Sequence, residues 1–196
     1  MRLRILSLLA LLLALLGLAA CGGGGDKKGD TGSADELDPD TTYSLVLKTT
    51  EGSFTIGLDQ KLAPNTARSL VRLTRNGFFD GTKFHRVVPG FVIQGGDPTG
   101  SGSGGPGYST VDVPPSDAAY TEGVVAMAKT QTEAPGTAGS QFFVVTGKDI
   151  GLPPEYAIVG RVTDGMATVK AIDALGVGDG PPSKPVVIKK VTVQES

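Results

Sequence analysis

Alternating apolar and polar positions begin shortly after residue 41. Residues 44–48 and 53–58 alternate with a period of two around Thr50-Glu51-Gly52, which is the pattern of a β-hairpin with one buried face. Further short apolar runs predict strands at 84–88, 91–94, 124–127, 141–145, 157–162 and 186–193. These patterns predict a mainly β domain with about eight strands.

Two stretches have a helical pattern instead. Pro64-Asn65-Thr66 introduces the first, in which Ala67, Leu70, Val71 and Leu73 fall on one stripe, and Gly77 ends it. The second is predicted over 166–175. Eight strands and two helices together predict a closed β-barrel capped by two α-helices.

Composition and charge support this prediction and narrow the function. The chain has 196 residues, 29 glycines and 13 prolines, which fits one turn-rich domain better than a helical bundle. Its net charge is −2, and residues 41–196 carry equal numbers of acidic and basic side chains. Without a basic surplus there is no electrostatic drive toward nucleic acid, so a nucleic-acid partner is not expected.

The first 20 residues have the pattern of a secretory signal peptide. Arg2 and Arg4 precede an apolar run over 5–20, which is short for a permanent membrane anchor, although an uncleaved anchor is the alternative. The run ends in Leu18-Ala19-Ala20-Cys21, which resembles the bacterial lipobox. That resemblance implies that Cys21, the only cysteine, is acylated and becomes the first residue of the mature protein.

Residues 22–40 contain one large apolar side chain, Leu37, and are rich in Gly and Asp. Such a segment cannot bury enough apolar surface to offset the entropy of ordering, so 21–40 is predicted to be a flexible tether. The predicted organisation is a signal peptide over 1–20, a lipidated tether over 21–40 and a folded domain over 41–196. We expect a monomer in the cell envelope, anchored to the membrane on its extracytoplasmic side.

Several other chemistries lack the residues they need. Residues 102–107 fit G-x-G-x-x-G, but Pro106 and the following Tyr108-Ser109-Thr110 do not open a helix, as a dinucleotide site requires. A zinc site needs three or four ligands, and the chain offers one histidine and one cysteine. A serine hydrolase would need His85 as its general base, and the chain contains no G-x-S-x-G motif to supply the nucleophile. No metal or other cofactor is expected.

Four blocks of sequence occur in the order and spacing of the cyclophilin family. They are Phe84-His85-Arg86-Val87-Val88, the segment from Phe91 to Asp97, Met127-Ala128, and Gly139-Ser140-Gln141-Phe142-Phe143. The chain resembles that family over 43–193, including a glycine-rich loop at 99–108. The resemblance implies a closed eight-stranded antiparallel barrel that isomerises peptidyl-prolyl bonds, with proline-containing peptides and unfolded secreted proteins as partners.

The resemblance also implies roles for individual residues. Arg86 matches the position that donates a hydrogen bond to the prolyl nitrogen as amide resonance is lost, and it is the expected catalytic residue. Phe91, Val92, Phe143 and Leu152 match the apolar socket for the proline ring, and Gln94 matches the side chain near the substrate carbonyl. The remaining expected substrate-binding residues are His85, Ala128, Lys129, Gln141 and Tyr156.

Three positions depart from the family pattern. Lys129 stands where an asparagine is frequent. Because that contact is largely through the backbone, the change should alter substrate preference rather than abolish activity. Gly151 replaces a frequent tryptophan before Leu152, which argues against strong cyclosporin binding, and Tyr156 replaces a frequent histidine. Two other functions stay open: a chaperone that grips proline-containing segments without isomerising them, and a structural envelope protein with a vestigial groove.

Overall fold

The computed structural model describes residues 36–196. The predicted signal peptide, Cys21 and the tether as far as residue 35 lie outside the described residues. The ten strands of the described part are β1 (Tyr43–Thr49), β2 (Gly52–Leu58), β3 (Arg86–Val88), β4 (Val92–Gly95), β5 (Thr110–Val111), β6 (Val124–Met127), β7 (Thr137–Ala138), β8 (Phe142–Val145), β9 (Ile158–Asp164) and β10 (Ile188–Glu195). Helix α1 (Pro64–Arg75) lies between β2 and β3, and α2 (Met166–Asp173) lies between β9 and β10.

The first two strands form the predicted hairpin. Leu45 pairs with Ile56 and Leu47 pairs with Phe54, and all four side chains are buried on the same face. Gly52 begins β2 with a φ of 130°, which L side chains rarely adopt. The period-two pattern therefore predicted both the turn and the buried face.

Eight strands form one antiparallel sheet in the order β10-β1-β2-β9-β6-β8-β4-β3. The sheet curls into a half-barrel with two helices, and the predicted closure of the barrel is wrong. No ladder joins the edge strands β3 and β10 among residues 36–196. Instead, the segment before β3 meets the start of β10 through an isolated bridge between Lys83 and Val187 and through backbone hydrogen bonds of Gly81 and Thr82 with Ile188. Strand β3 has three residues, and Pro181, Pro182 and Pro185 lack the amide hydrogens that a longer ladder needs.

Helix α1 buries its apolar stripe, including Ala67, Leu70 and Val71, against the inside of the sheet. Pro64 occupies the first turn, where its missing N–H costs nothing. Asp112, beyond the end of β5, caps this helix from a distance: one carboxylate oxygen accepts hydrogen bonds from the Thr66 amide and hydroxyl, both at 2.7 Å. The two-stranded sheet of β5 and β7 thus holds the start of α1.

Strand alternation divides the apolar residues of the sheet into two clusters. The main core contains Val87, Ile93, Val125 and Val144, which are neighbours across four adjacent strands. The alternate positions of the same strands face outward and form a second cluster with Tyr120, whose buried members are Val92, Tyr120, Val124, Ala126, Phe143 and Val145. The outer cluster gives this part of the sheet an apolar outer surface.

Within residues 36–196, neither helix has the length and apolar character needed to cross a membrane.

Candidate active site

A cavity of about 240 Å³ opens on the outer cluster, and we call it the aromatic pocket. Its lining residues are Arg86, Phe91, Val92, Gln94, Ala128, Lys129, Phe143, Leu152 and Tyr156. Every one of them was predicted from sequence as a site residue. The structure therefore brings together nine of the eleven predicted catalytic and substrate-binding positions in one cavity.

Strand register explains why distant residues meet there. Arg86 on β3 is paired with Gln94 on β4, and Gln94 is paired with Phe143 on β8. Residues directly opposite each other in an antiparallel sheet share a face, so these side chains form one row on the outer surface. The guanidinium, the amide and the aromatic ring are thereby placed along one edge of the pocket.

The Arg86 guanidinium is held from two sides. Its Nη1 donates to Gln94 Oε1 at 3.2 Å, while Nε and Nη2 donate to the two carboxylate oxygens of Asp179 at 2.5 and 3.0 Å. The guanidinium carbon also lies 5.9 Å from the centre of the Phe91 ring. These hydrogen bonds use three of the five N–H donors of arginine, and within residues 36–196 the other two make no hydrogen bond.

Gln141 lies beside the aromatic pocket and connects it to the glycine-rich loop. Its Oε1 accepts from Gln94 Nε2 at 3.1 Å, and its Nε2 donates to the carbonyls of Gly102 and Gly104 at 3.0 and 2.9 Å. A continuous chain of hydrogen bonds therefore runs from the loop through Gln141 and Gln94 to Arg86.

Asp97 organises that loop from within. Its buried carboxylate accepts hydrogen bonds from the Thr99 amide and hydroxyl and from the amides of Gly102 and Gly104. Burial alone would raise the pKa of Asp97, but these hydrogen bonds to the charged form lower it far below the ordinary value. A side chain on Gly104 would collide with this carboxylate, so the close approach requires glycine there.

The loop borders a second cavity of about 470 Å³, which we call the loop pocket. It shares Gln94, Ala128 and Lys129 with the aromatic pocket, so the two cavities are adjacent parts of one groove. Gln141 lines the loop pocket, and the Ala128 amide donates to the Gln141 carbonyl at 2.9 Å. An extended peptide could thus occupy both cavities at once.

Three aromatic rings pack together at the far wall of the aromatic pocket, where Phe143 and Tyr156 line the cavity and Tyr120 packs against both of them. Phe143 contacts Tyr120 and Tyr156 with ring centres 6.4 and 5.7 Å apart, and Tyr120 meets Tyr156 edge-on at 6.0 Å. The Tyr120 hydroxyl donates to the Tyr156 carbonyl at 2.8 Å and accepts from the Tyr156 amide at 3.0 Å. Tyr120 therefore fixes the backbone that carries Tyr156. Burial raises the pKa of the Tyr120 hydroxyl.

Lys129 contributes its side chain as well as its backbone. Its ammonium lies 3.1 Å from Glu155 Oε2, donates to the carbonyls of Thr130 and Glu133, and sits 5.4 Å from the centre of the Tyr156 ring. The side chain is only 2% exposed. The Lys129 side chain thus connects the walls of the two pockets.

His85 lies apart from both pockets. It lines a separate cavity of about 220 Å³ with Gly100 and Pro181, and neither ring nitrogen has a hydrogen-bond partner in the described part of the chain. Burial lowers the pKa of His85, and the nearby Asp97 charge partly offsets that effect. Within residues 36–196 no three His, Cys, Asp or Glu side chains are grouped to hold a metal ion.

Comparison with known proteins identifies the family. The model of the family described as cyclophilin type peptidyl-prolyl cis-trans isomerase matches residues 44–193. The chain belongs to the cyclophilin family. It is an isomerase of peptidyl-prolyl bonds, as the family and its curated members indicate. The membership of the cyclophilin family that the four sequence blocks predict is thereby confirmed.

Two relatives and one solved structure align with nearly their whole length. Peptidyl-prolyl cis-trans isomerase-like 1 of Gibberella zeae is 38% identical over 160 residues, covering 79% of this chain and 97% of the relative. Peptidyl-prolyl cis-trans isomerase A of Mycobacterium tuberculosis is 38% identical over 174 residues, covering 79% and 94%. A cyclophilin-type isomerase of Cryptosporidium parvum, crystallised with the dipeptide Ala-Pro, superposes with a TM-score of 0.71 at 29% identity, covering 78% and 99%.

Sequence reasoning missed two residues of this cyclophilin site. Asp179 is 93 positions from Arg86, and in Gly178-Asp179-Gly180 it has the pattern of an ordinary turn. Tyr120 follows Ala118-Ala119 in a stretch with no strand periodicity. Neither residue carries a local signal, because each acts through a contact that only the folded sheet creates.

Proposed function

We propose that the chain is a lipid-anchored cyclophilin of the cell envelope, which accelerates rotation about X-Pro bonds in extracytoplasmic proteins and so assists their folding. The isomerase activity follows from the family. The location is supported by the signal-like run over 5–20, the lipobox-like Leu18-Ala19-Ala20-Cys21 and the Gly- and Asp-rich segment after it.

Arg86 is the proposed catalytic residue. An X-Pro bond rotates slowly because the nitrogen lone pair, delocalised into the carbonyl, must be localised in the twisted transition state. A donor aimed at that nitrogen forms a hydrogen bond that strengthens as resonance breaks, so it binds the transition state more tightly than either ground state. No covalent intermediate is needed for this step.

The aromatic pocket is the proposed socket for the proline ring. Phe91, Val92, Phe143 and Leu152 give it an apolar lining, and Gln94 supplies an amide for the substrate carbonyl beside Arg86. The adjoining loop pocket takes residues that precede the proline. Proline-containing peptides and unfolded secreted proteins are the substrates that this arrangement fits, with the protein acting as a monomer.

One observation carries the catalytic assignment: Arg86 lines the same cavity as Phe143 and has two N–H donors uncommitted within residues 36–196. The test is the cis-to-trans rate of a short X-Pro peptide, measured by exchange NMR with the full-length chain and with Arg86→Ala. We expect kcat/KM to fall about 100-fold in the variant while peptide binding persists. A folded parent that binds the peptide without accelerating its rotation would identify a proline-binding chaperone instead.

The proposed anchor has a separate test. Replacing Cys21 with serine removes the thiol that acyl transfer requires, so we expect the expressed chain to lose incorporation of labelled fatty acid and to leave the membrane fraction. Labelling that persists in Cys21→Ser would contradict the lipoprotein assignment and would leave the isomerase activity untouched.

A further inference from the structure

The loop between α2 and β10 packs against β3, the edge strand that carries Arg86. Gly180 accepts a hydrogen bond from the Val87 amide at 2.8 Å, and Ser183 donates to the Leu175 carbonyl at 2.8 Å. Gly176 packs so closely on Pro89 that an added Cβ would lie 2.6 Å from the proline ring. The backbone on both sides of Asp179 is thus fixed against β3, although the Asp179 side chain is 67% exposed.

From this position Asp179 holds one edge of the Arg86 guanidinium. Both carboxylate oxygens accept hydrogen bonds, one from Nε and one from Nη2, in the bidentate geometry that fixes the guanidinium plane. Gln94 accepts from Nη1 on the other side. The two uncommitted N–H groups belong to Nη1 and Nη2, so the pair fixes which edge of the guanidinium stays available.

We propose that Asp179 is a positioning residue for Arg86, which sets the orientation of the guanidinium relative to a prolyl nitrogen in the aromatic pocket. The inference rests on the catalytic role proposed for Arg86. An arginine on a flexible stem would otherwise sample many rotamers, and a bidentate partner on a fixed backbone removes that freedom before the substrate arrives. The effect should therefore be on turnover more than on substrate binding.

The test compares Asp179→Ala, Asp179→Glu and the control Asp117→Ala in the full-length chain. Asp117 is an exposed aspartate, so its replacement by alanine removes the same charge as Asp179→Ala does. We expect Asp179→Ala to lower kcat on the order of fivefold with KM nearly unchanged, because Gln94 still holds one side of Arg86. Asp179→Glu should restore much of the rate, since it keeps both oxygens, and Asp117→Ala should match the parent.

Two further measurements separate positioning from a structural role. In an Arg86→Lys background, which cannot form the bidentate pair, adding Asp179→Ala should change kcat little. The Arg86 Nε–H resonance should shift in Asp179→Ala and stay near its parent position in Asp117→Ala. A comparable loss in both backgrounds would show a structural effect, and a faster Asp179→Ala would show that the carboxylate restrains catalysis; either result overturns the proposal.

The outcome also distinguishes this inference from the proposed function. If Asp179→Ala equals the parent while Arg86→Ala is slow, the positioning role fails and the catalytic assignment stands. If Arg86→Ala itself equals the parent, the catalytic assignment fails first.

Discussion

Removing one hydroxyl, that of Tyr120, should loosen the wall of the aromatic pocket without touching the catalytic arginine. The ring is 1% exposed, and the hydroxyl makes two hydrogen bonds to the Tyr156 backbone. Tyr120→Phe leaves an amide and a carbonyl without these partners. Since this backbone is only partly buried, the expected loss of unfolding free energy is about 1–2 kcal/mol.

For a domain of this size, that loss corresponds to a melting temperature lower by about 2–8 °C. Because Tyr156 lines the pocket and is held by this hydroxyl, KM for an X-Pro peptide should rise about two- to threefold with kcat retained. The assays are thermal unfolding by circular dichroism and exchange NMR at several peptide concentrations.

Tyr43→Phe is the matched control. The Tyr43 hydroxyl accepts a single hydrogen bond, from the Asp38 amide at 3.2 Å, and Tyr43 does not line the pocket. It should cost less stability and leave KM unchanged. If Tyr120→Phe lost the expected stability but kept the parent KM, the claim that Tyr120 sets the pocket wall would be refuted.

The same residue gives a dependence on alkaline pH. Burial raises the pKa of Tyr120 above its ordinary value of 10.0, so the folded state holds this proton more tightly than the unfolded state does. The stability linked to this group is complete below pH 10 and is lost as pH rises further. The difference in stability between parent and Tyr120→Phe should therefore shrink above pH 10.

Two other predictions concern the glycine-rich loop and its connection to the site. Asp97→Asn should destabilise the protein by about 1–3 kcal/mol at neutral pH, because an amide nitrogen would face N–H donors. Since folding lowers the pKa of Asp97, the parent should lose this stability as pH falls below the ordinary value of 3.8. Melting temperatures measured against pH should therefore converge for the parent and Asp97→Asn. Gln141→Ala should lower kcat/KM about threefold by releasing Gln94, and an unchanged value would show that the hydrogen-bond chain carries no coupling.

The sequence predicted most of the fold because local pattern and burial agree in this chain. The run at 124–127 is β6 at the same bounds, and the helix that begins at Pro64 buries the apolar stripe expected of it. Closure of the barrel could not be read from pattern, since it depends on whether β3 and β10 come within hydrogen-bonding register. The two-residue strands β5 and β7 are too short to produce a periodic signal.

The site residues likewise divide into those that the sequence could predict and those that only the folded chain brings together. Residues on β3, β4 and β8 were predictable, because the family's blocks lie on strands whose register then places Arg86, Gln94 and Phe143 together. Lys129 lines the aromatic pocket with the other predicted residues, but its ion pair with Glu155 depends on how two loops meet. The contact of Asp179 with Arg86 could not be predicted, because the chain has many exposed aspartates and no local pattern distinguishes this one.

The open sheet has a further consequence for a protein whose substrates are extended chains. An unpaired strand edge is a template on which another polypeptide can add a strand, and growth of that kind leads to aggregates. Strand β3 has only three residues, and its Val87 amide already donates to the Gly180 carbonyl. Pro181 and Pro182, which follow Gly180, have no amide hydrogen to donate. Along β10, exposed Lys189 and Lys190 make adhesion unfavourable. Both edges of the sheet are therefore poor templates for the addition of another strand.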